Sequence, residues 1–290
     1  MKQRLKIKVA DNAGFCFGVK RAINLAEEAA DKKRKVCTLG PIIHNPQEVE
    51  RLEKKKVEIL TDINKIKSGF IILRTHGIPF DLHKKLIKNK NINIIDATCP
   101  FVKRAQVIME RLSTDIKSKD KIVIIVGERV HPEVIALMSY VNSGKCVVIE
   151  NVTEAKNFKD SGDLNIVSQT TQTPENFESI VKILKKQHKV KVYNTICKAT
   201  LDRQKSAEKL AKSVDLMIVI GGRNSGNTTR LAQICSTNTK THHIETVESI
   251  KEEWFKDIGS VGLTAGASTP DWIIEGIKKK VVGIRCKTYS

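Results

Sequence analysis

Short apolar runs alternate with amphipathic stretches along the chain. Three segments share one order: a brief β-rich run, an Asp or Asn, a cysteine, and then a stretch whose apolar residues recur at helical spacing. Strands that alternate with helices in this way predict an α/β protein with mainly parallel sheets. The apolar stripes of the three predicted helices are Val19, Ala22, Ile23 and Ala26; then Ala105, Ile108, Met109 and Leu112; then Ala207, Leu210, Ala211 and Val214.

The cysteines of these segments are Cys16, Cys99 and Cys197. Each is predicted to lie at the carboxyl end of a strand and the amino end of a helix, where the helix dipole favours a thiolate. The other four cysteines lack this context, and we expect them to be small buried hydrophobes. A disulfide framework is not expected, because the number of cysteines is odd and no CxxC pair occurs. The four cysteines outside the repeated context are Cys37, Cys146, Cys235 and Cys286.

Two further strands follow each cysteine, and each ends in a polar turn. The first strand ends in a glycine, and four residues later stands His44, His131 or Ser225. The next strand ends in turns that carry His76, then Gln169 to Thr171, then Ser268. Because ligands of parallel sheets bind beyond the carboxyl ends of the strands, these side chains are candidate ligand-binding groups.

This internal repeat predicts three similar αβ domains, 11–98, 99–195 and 196–290. The opening strand within 1–10 is expected to complete the sheet of the third domain. If the three domains pack around a pseudo-threefold axis, the three thiolates and a ring of polar groups converge on one cavity. The prediction rests on the matching positions of the polar groups relative to the three cysteines.

Three thiolates suit two kinds of metal centre: zinc with an open fourth position, or a 4Fe–4S cluster with one iron not bound by protein. The surrounding hydroxyls, imidazoles and glycine-bearing turns suit phosphate oxygens. Glu133, two residues after His131, is a candidate proton donor, although the HPEV sequence is also typical of a helix start. An iron–sulfur reductase and a three-cysteine zinc phosphate-ester hydrolase therefore both remain open from the residues alone.

The charge of +19, from 51 Lys and Arg against 32 Asp and Glu, raises the alternative of a basic nucleic-acid-binding protein. The cations are spread over the whole chain, aromatic residues make up only 4%, and no nucleic-acid-binding motif is present. No apolar run is long enough to cross a membrane, and no signal peptide is evident, so we expect a cytoplasmic protein. A diffuse positive field would steer anionic substrates or acidic partners.

Nine motifs, in order from about Asp11 to Asp271, resemble those of the 4-hydroxy-3-methylbut-2-enyl diphosphate reductase family, which catalyses the last step of the non-mevalonate isoprenoid pathway. The resemblance implies a trefoil of three αβ domains around a 4Fe–4S cluster held by Cys16, Cys99 and Cys197. The motifs are GFCFGVKRAI, LGPIIHN, THGIP, DATCP, HPEV, SQTTQT, NTICKAT, NSGN and TAGASTPD.

The same resemblance implies the reaction: reductive dehydroxylation of 4-hydroxy-3-methylbut-2-enyl diphosphate to isopentenyl and dimethylallyl diphosphates. The substrate hydroxyl would bind the unique iron, Glu133 would supply the proton that makes water, and Thr170 and His131 would act beside it. Two electrons would come from ferredoxin or flavodoxin, and we expect a monomer that binds neither nucleic acid nor membrane. The implied diphosphate-binding residues are His44, His76, His131, Ser225, Gly226, Asn227 and Ser268, with Thr170 facing the hydroxymethyl group.

Two positions depart from the family pattern. Gly226 stands where members often carry a second serine, so one hydroxyl contact is lost, although the glycine amide still offers a donor. Glu128 stands where many members carry a histidine. Neither departure changes the predicted cluster ligands or the proton donor.

Overall fold

The computed structural model describes residues 5–32, 35–115, 121–141, 145–223 and 225–287. The chain divides into two compact units. One comprises Met1–Lys20, Ile43–Lys54 and Lys198–Ser290, and the other comprises Arg21–Ile42 and Lys55–Cys197. The strands of the described ranges form three four-stranded sheets, in which all neighbouring strands are parallel.

The second unit contains two of these sheets. The first has the order β3-β2-β4-β5, and β2 is buried along its whole length. Helix α1 precedes it in the chain, and α3 crosses over between β4 and β5. The bounds are α1 Phe17–Asp31, β2 Val36–Leu39, β3 Val57–Leu60, a 3₁₀ turn Ile63–Lys65, β4 Gly69–Leu73, α3 Phe80–Lys88 and β5 Ile92–Asp96.

The other sheet of this unit has the equivalent order β7-β6-β8-β9. Apolar clusters cover both of its faces, which explains why β6 reads as a continuous run of Ile and Val rather than as an alternation. The bounds are α4 Pro100–Asp115, β6 Lys121–Val126, α5 Pro132–Met138, β7 Lys145–Ile149, α6 Val152–Asn157, β8 Asp163–Ser168, α7 Pro174–Leu184 and β9 Val190–Tyr193.

The first unit contains the third sheet, with the order β1-β12-β10-β11. The opening strand pairs in parallel with β12, Lys6 opposite Ser260, in the position that the repeat predicts for it. The bounds are β1 Lys6–Val9, α2 Pro46–Lys54, α8 Lys198–Ala211, β10 Leu216–Ile220, α9 Gly226–Ser236, β11 Lys240–Ile244, 3₁₀ turns Val247–Ser249 and Glu252–Phe255, β12 Ser260–Ala265 and α10 Asp271–Lys287.

The predicted α/β class with parallel sheets is confirmed, and the sheets share one strand order. The helical stripes are buried as expected, except that Ile108 is half-buried and Val214 lies beyond the end of α8. The repeat did not predict the outer strands β3, β7 and β11. Of these, β11 (KTHHI) has a weak apolar pattern, whereas β3 (VEIL) and β7 (KCVVI) are apolar runs that no repeated motif marks. The domain boundaries 11–98, 99–195 and 196–290 stay predictions.

Apolar helices of membrane-spanning length do not occur in the described ranges.

Candidate active site

The three repeated cysteines are held in the same way. The backbone N–H of each one donates to a carbonyl in the turn that follows the third strand of a repeat. Each thiol is half-buried, and a helix begins at the next residue. The hydrogen bonds are Cys16 to Ala267 at 3.2 Å, Cys99 to Thr75 at 3.0 Å and Cys197 to Thr170 at 2.8 Å. The first lies in the first unit and the others lie in the second.

Side-chain oxygens of an Asp and an Asn accept backbone hydrogen bonds in two of the loops that lead into these cysteines. Asp96 Oδ1 accepts from the backbone N–H of Thr98 at 2.9 Å, and Asn194 Oδ1 accepts from that of Ile196 at 3.0 Å. These turns explain why Asp or Asn precedes the cysteine in the sequence pattern. All three side chains lie at helix amino ends, and sulfur is the ligand that soft metal centres prefer.

Glu133 is a buried carboxyl group in the second unit, 1% exposed. Both of its oxygens are bound by Thr170: the backbone N–H donates to Oε1 at 2.7 Å, and the hydroxyl donates to Oε2 at 2.7 Å. Burial raises the pKa of Glu133 to about 7, while the two hydrogen bonds from Thr170 act in the opposite direction. Near neutral pH this carboxyl group therefore has the protonation equilibrium that a general acid needs.

His131 lies at the amino end of the helix that carries Glu133, and His76 contacts the His131 ring. His131 is the N-cap residue of α5, and its Nδ1 accepts from the backbone N–H of Glu133 at 3.1 Å. A neutral imidazole in this arrangement carries its proton on Nε2, which can donate to an anionic oxygen. The rings of His131 and His76 meet edge to face with centroids 5.4 Å apart, and Thr75 Oγ1 lies 3.5 Å from His76 Nδ1.

A chain of direct contacts thus connects two cysteines through the catalytic candidates of the second unit. Cys197 is bound to Thr170, which binds Glu133. Glu133 is joined through His131 and His76 to Thr75, and Thr75 binds Cys99. Six residues predicted separately from the sequence are therefore neighbours: Cys99, Cys197, His76, His131, Glu133 and Thr170.

The loop before His131 is supported by Gln169, which is buried. Its Oε1 accepts from the backbone N–H of Glu128 at 2.9 Å, and its Nε2 donates to Thr171 Oγ1 at 2.9 Å. Gly127 is required here, because a Cβ atom at that position would lie 2.8 Å from Gln169 and 2.9 Å from Val134. Glu128 itself is an exposed residue. Partial desolvation of its carboxyl group and the negative charge of the neighbouring Glu150 raise its pKa.

In the first unit, Ser268 and His44 lie together. The hydroxyl of Ser268 donates to the backbone carbonyl of His44 at 3.0 Å. Ala267, the residue before Ser268, accepts from Cys16. The structure thus brings Cys16, His44 and Ser268 into one neighbourhood.

A helix amino end with unsatisfied polar groups stands at the turn beside β10. Ser225 is the N-cap residue of α9, and its side chain accepts from the backbone N–H of Thr228 at 3.4 Å. Among the described residues, neither polar atom of the buried side-chain amide of Asn227 has a hydrogen-bond partner. Gly226, the first residue of α9, is exposed. Orphaned amide atoms at a helix amino end fit an anionic ligand such as a phosphate group.

The sequence analysis missed a buried network beside His44 and Ser268. Glu48 is 1% exposed and accepts from Arg51 at 2.5 and 2.9 Å and from the indole N–H of Trp272 at 3.1 Å. Trp272 lies four residues after Ser268, and Glu48 lies four residues after His44. The network therefore couples the two segments that carry these residues. A Glu and an Arg in one turn of a helix are too common on surfaces to signal such a contact.

The remaining cysteines differ from the repeated three. Cys37 and Cys235 are buried as predicted, and Cys146 is half-buried. Burial raises the pKa of Cys37, and it raises the pKa of both Cys146 and Cys235 to about 12. These three thiols stay protonated near neutral pH, so they are poor metal ligands. The side chain of Cys286 lies outside the part of the chain that the structure describes.

We expect Glu133 to make stability depend on pH. Its folded pKa is raised above the ordinary value of 4.5, so the folded state binds more protons between pH 4.5 and about 7. At acid pH this group adds about 3 kcal/mol to the free energy of unfolding, and that contribution is lost as the pH rises through about 7. Urea unfolding of the apoprotein at pH 5 and pH 8 measures this, with Glu133→Gln as the reference that lacks it. Parallel pH profiles for the two proteins would contradict the assignment.

Sequence comparison places these residues in a family of known proteins. The family profile described as LytB protein matches residues 7–282. A 4-hydroxy-3-methylbut-2-enyl diphosphate reductase of Syntrophotalea carbinolica is 47% identical over 96% of this chain and 98% of its own length. The reductase of the same name from Geotalea uraniireducens is 45% identical over 96% of this chain and 97% of its own length.

Two solved structures show the same similarity. One is described as (E)-4-hydroxy-3-methylbut-2-enyl diphosphate reductase, the terminal enzyme of the non-mevalonate pathway. It shares 45% identity and a TM-score of 0.71, and the match covers 96% of this chain and 99% of that chain. The other, a reductase of Plasmodium falciparum, shares 28% identity and a TM-score of 0.85 over 95% of this chain and 87% of that chain.

Proposed function

Because this chain belongs to the LytB family, as its matches over nearly its whole length show, we propose that it is a 4-hydroxy-3-methylbut-2-enyl diphosphate reductase. The reaction replaces an allylic hydroxyl group by hydrogen and gives isopentenyl and dimethylallyl diphosphates. The observation that carries the proposal is the buried pair of Glu133 and Thr170, hydrogen-bonded directly to the loop of Cys197. It supports Glu133 as the proton donor and Cys197 as a ligand of the same centre, because both are hydrogen-bonded to Thr170.

Cys16, Cys99 and Cys197 would hold the 4Fe–4S cluster. Their half-buried thiols at helix amino ends, each with its backbone N–H bound, fit thiolate ligands of such a group. When bound, the cluster supplies electrons singly and a Lewis-acidic iron. The three cysteines whose raised pKa or burial disfavours thiolate formation, Cys37, Cys146 and Cys235, are not assigned to it.

The reaction consumes two electrons and two protons for each hydroxyl lost as water. Protonated Glu133 donates the proton that turns the departing hydroxyl into water, because hydroxide alone is a poor leaving group. Thr170 holds both carboxyl oxygens and so fixes the direction in which the proton is presented. The second proton goes to either end of the allyl unit, which gives the two products.

The diphosphate group would be bound by residues at the carboxyl ends of the strands. The Nε2 proton of His131 can donate to phosphate oxygen, and the buried amide of Asn227 offers a donor without another partner. The amino end of α9, with Gly226 in place of a hydroxyl-bearing residue, contributes backbone N–H groups. We assign the diphosphate to His44, His76, His131, Ser225, Gly226, Asn227 and Ser268.

The two alternatives left open by the sequence lose their support. The relatives are reductases over nearly the full chain, so neither a zinc phosphate-ester hydrolase nor a nucleic-acid-binding protein is indicated. The electron donor would be an acidic carrier such as ferredoxin or flavodoxin, which the charge of +19 would attract. We further propose a monomer that works in the cytoplasm.

Product analysis tests the proposal. Protein prepared without oxygen and supplied with a strong one-electron reductant should convert the allylic diphosphate into both products. Release of inorganic phosphate without loss of the hydroxyl group would support a hydrolase and overturn the proposal. A saturated analogue of the diphosphate serves as the control and should stay unreacted, because it lacks the allylic system.

A further inference from the structure

Arg21 binds the loop that leads into Cys99. This arginine lies in the first turns of α1, and its guanidinium group donates to the backbone carbonyl of Asp96 at 3.0 Å and to that of Thr98 at 3.4 Å. Both carbonyls belong to the DATC loop, and Thr98 directly precedes Cys99. A single cation therefore fixes two peptide groups beside this cysteine.

Arg203 makes the corresponding contact to the loop that leads into Cys16. It lies in α8, is only 3% exposed, and donates to the backbone carbonyl of Gly14 at 2.8 Å and to that of Ala199 at 3.4 Å. Gly14 has a positive φ of 87°, and a Cβ atom there would lie 2.9 Å from Ile274. The loop before Cys16 thus has a crowded turn that requires glycine, and a buried cation holds the carbonyl of that glycine.

The two arginines lie at similar but not identical offsets in the repeat. Arg21 lies five residues after Cys16, and Arg203 lies six residues after Cys197. Each is one turn or more into the helix that a repeated cysteine begins, and each binds the loop of a different repeated cysteine. The repeat that begins at Cys99 has Arg104 at the same offset as Arg21, five residues after the cysteine, and that side chain is exposed.

Burying a guanidinium group costs free energy. Here hydrogen bonds from its N–H groups to backbone carbonyls offset that cost. A carbonyl carries no net charge, so these bonds leave the positive charge of each arginine in place. A cation held next to a thiolate loop stabilises added negative charge on any group that the thiolates bind.

We propose that Arg21 and Arg203 are positioning residues for the cysteine loops, and that their charge favours reduction of the group these cysteines hold. Arg21 acts on the loop of Cys99, and Arg203 acts on the loop of Cys16. The inference rests on the proposed function for the identity of the group, but the loop contacts stand without it.

Hydrogen exchange of the full-length apoprotein tests the positioning directly. Arg203→Gln should speed exchange of the backbone amides around Cys16 about tenfold, the effect of losing a charge-assisted hydrogen bond, and leave those around Cys99 unchanged. Arg21→Gln should show the reverse pattern. Arg104→Gln, which removes the same charge at an exposed position of the repeat, should change neither segment.

The reduction potential of the anaerobically reconstituted protein separates a charge effect from a purely structural one. Arg21→Gln and Arg203→Gln should each lower the equilibrium constant for one-electron reduction about tenfold, a shift of about 59 mV to more negative potential. Arg21→Lys and Arg203→Lys keep the charge and should restore the parent potential. Arg104→Gln should shift it less than half as far.

The inference is overturned if Arg21→Gln and Arg203→Gln show the same exchange rates and reduction potentials as Arg104→Gln. If Arg203→Gln does not fold, the half-buried Arg21 decides between the outcomes by the same two measurements. A parent protein that binds no cluster would overturn the proposed function. The exchange pattern would then still confirm or refute the positioning of the loops.

Discussion

Replacing Glu133 by Gln is expected to lower turnover by about 10³-fold while iron content and affinity for the diphosphate stay near those of the parent. Glutamine keeps the shape and can still accept the N–H bond from Thr170, but it has no proton to donate at an accessible pKa. The pKa of about 7 means that the parent carboxyl group exchanges its proton near neutral pH. Single-turnover measurements under strict anaerobic conditions give the rate of the chemical step.

The pH profile and a matched variant make this prediction specific. Parent activity should fall as the pH rises through about 7, because the deprotonated carboxylate cannot serve as the acid. The residual activity of Glu133→Gln should lack this step. Glu128→Gln changes a carboxyl group of an exposed residue in the loop before α5 and should keep turnover within about threefold of the parent. Unchanged turnover in Glu133→Gln would remove this residue from the mechanism.

Replacing any one of the three repeated cysteines by Ser is expected to cost most of the bound iron and at least about 100-fold in activity. A serine oxygen is a harder and far more basic ligand than a thiolate, so it holds iron of a sulfide cluster poorly. Cys197→Ser is the most informative variant. It changes the side chain only, so the hydrogen bond from the backbone N–H at this position to the carbonyl of Thr170 is unaffected. Iron, sulfide and visible absorption are measured on protein prepared without oxygen.

Cys37→Ala and Cys235→Ala are the matched controls for this series. Both thiols are buried in apolar clusters, and burial raises their pKa. Their removal should cost about 1 kcal/mol of stability from the small cavity and leave iron and sulfide content unchanged. The assignment fails if Cys197→Ser retains a full complement of iron and sulfide while either control loses it.

The sequence predicted the parallel α/β class and the neighbours in the second unit because both follow from periodicity. Polar residues that follow parallel strands of one sheet meet at one edge of that sheet, and this rule groups His131 and Thr170, which follow β6 and β8. His76 follows β4 of the other sheet, so its place beside His131 was expected only from the packing of the repeats around one axis. The repeat also left one strand missing in the third sheet, and β1 pairs with β12 there.

Contacts that depend on long side chains were not predictable in this way. Arg203 and Glu48 are charged residues on amphipathic helices, and such residues usually face solvent. Their burial results from tertiary packing. Arg203 donates to a backbone carbonyl of the loop before Cys16. Glu48 is covered by Arg51, which lies one helical turn after it, and by the indole of Trp272. The outer strand β11, with the sequence KTHHI, was missed because polar residues stand on both of its faces and leave no apolar alternation.

Analysis of metal and sulfide in protein isolated without oxygen tests the central claim most directly. The account predicts four iron atoms and four sulfides per chain, as a 4Fe–4S cluster requires, with no stoichiometric zinc. Substoichiometric clusters should refill on anaerobic reconstitution with iron and sulfide. One zinc per chain, with neither iron nor sulfide taken up under these conditions, would contradict the account.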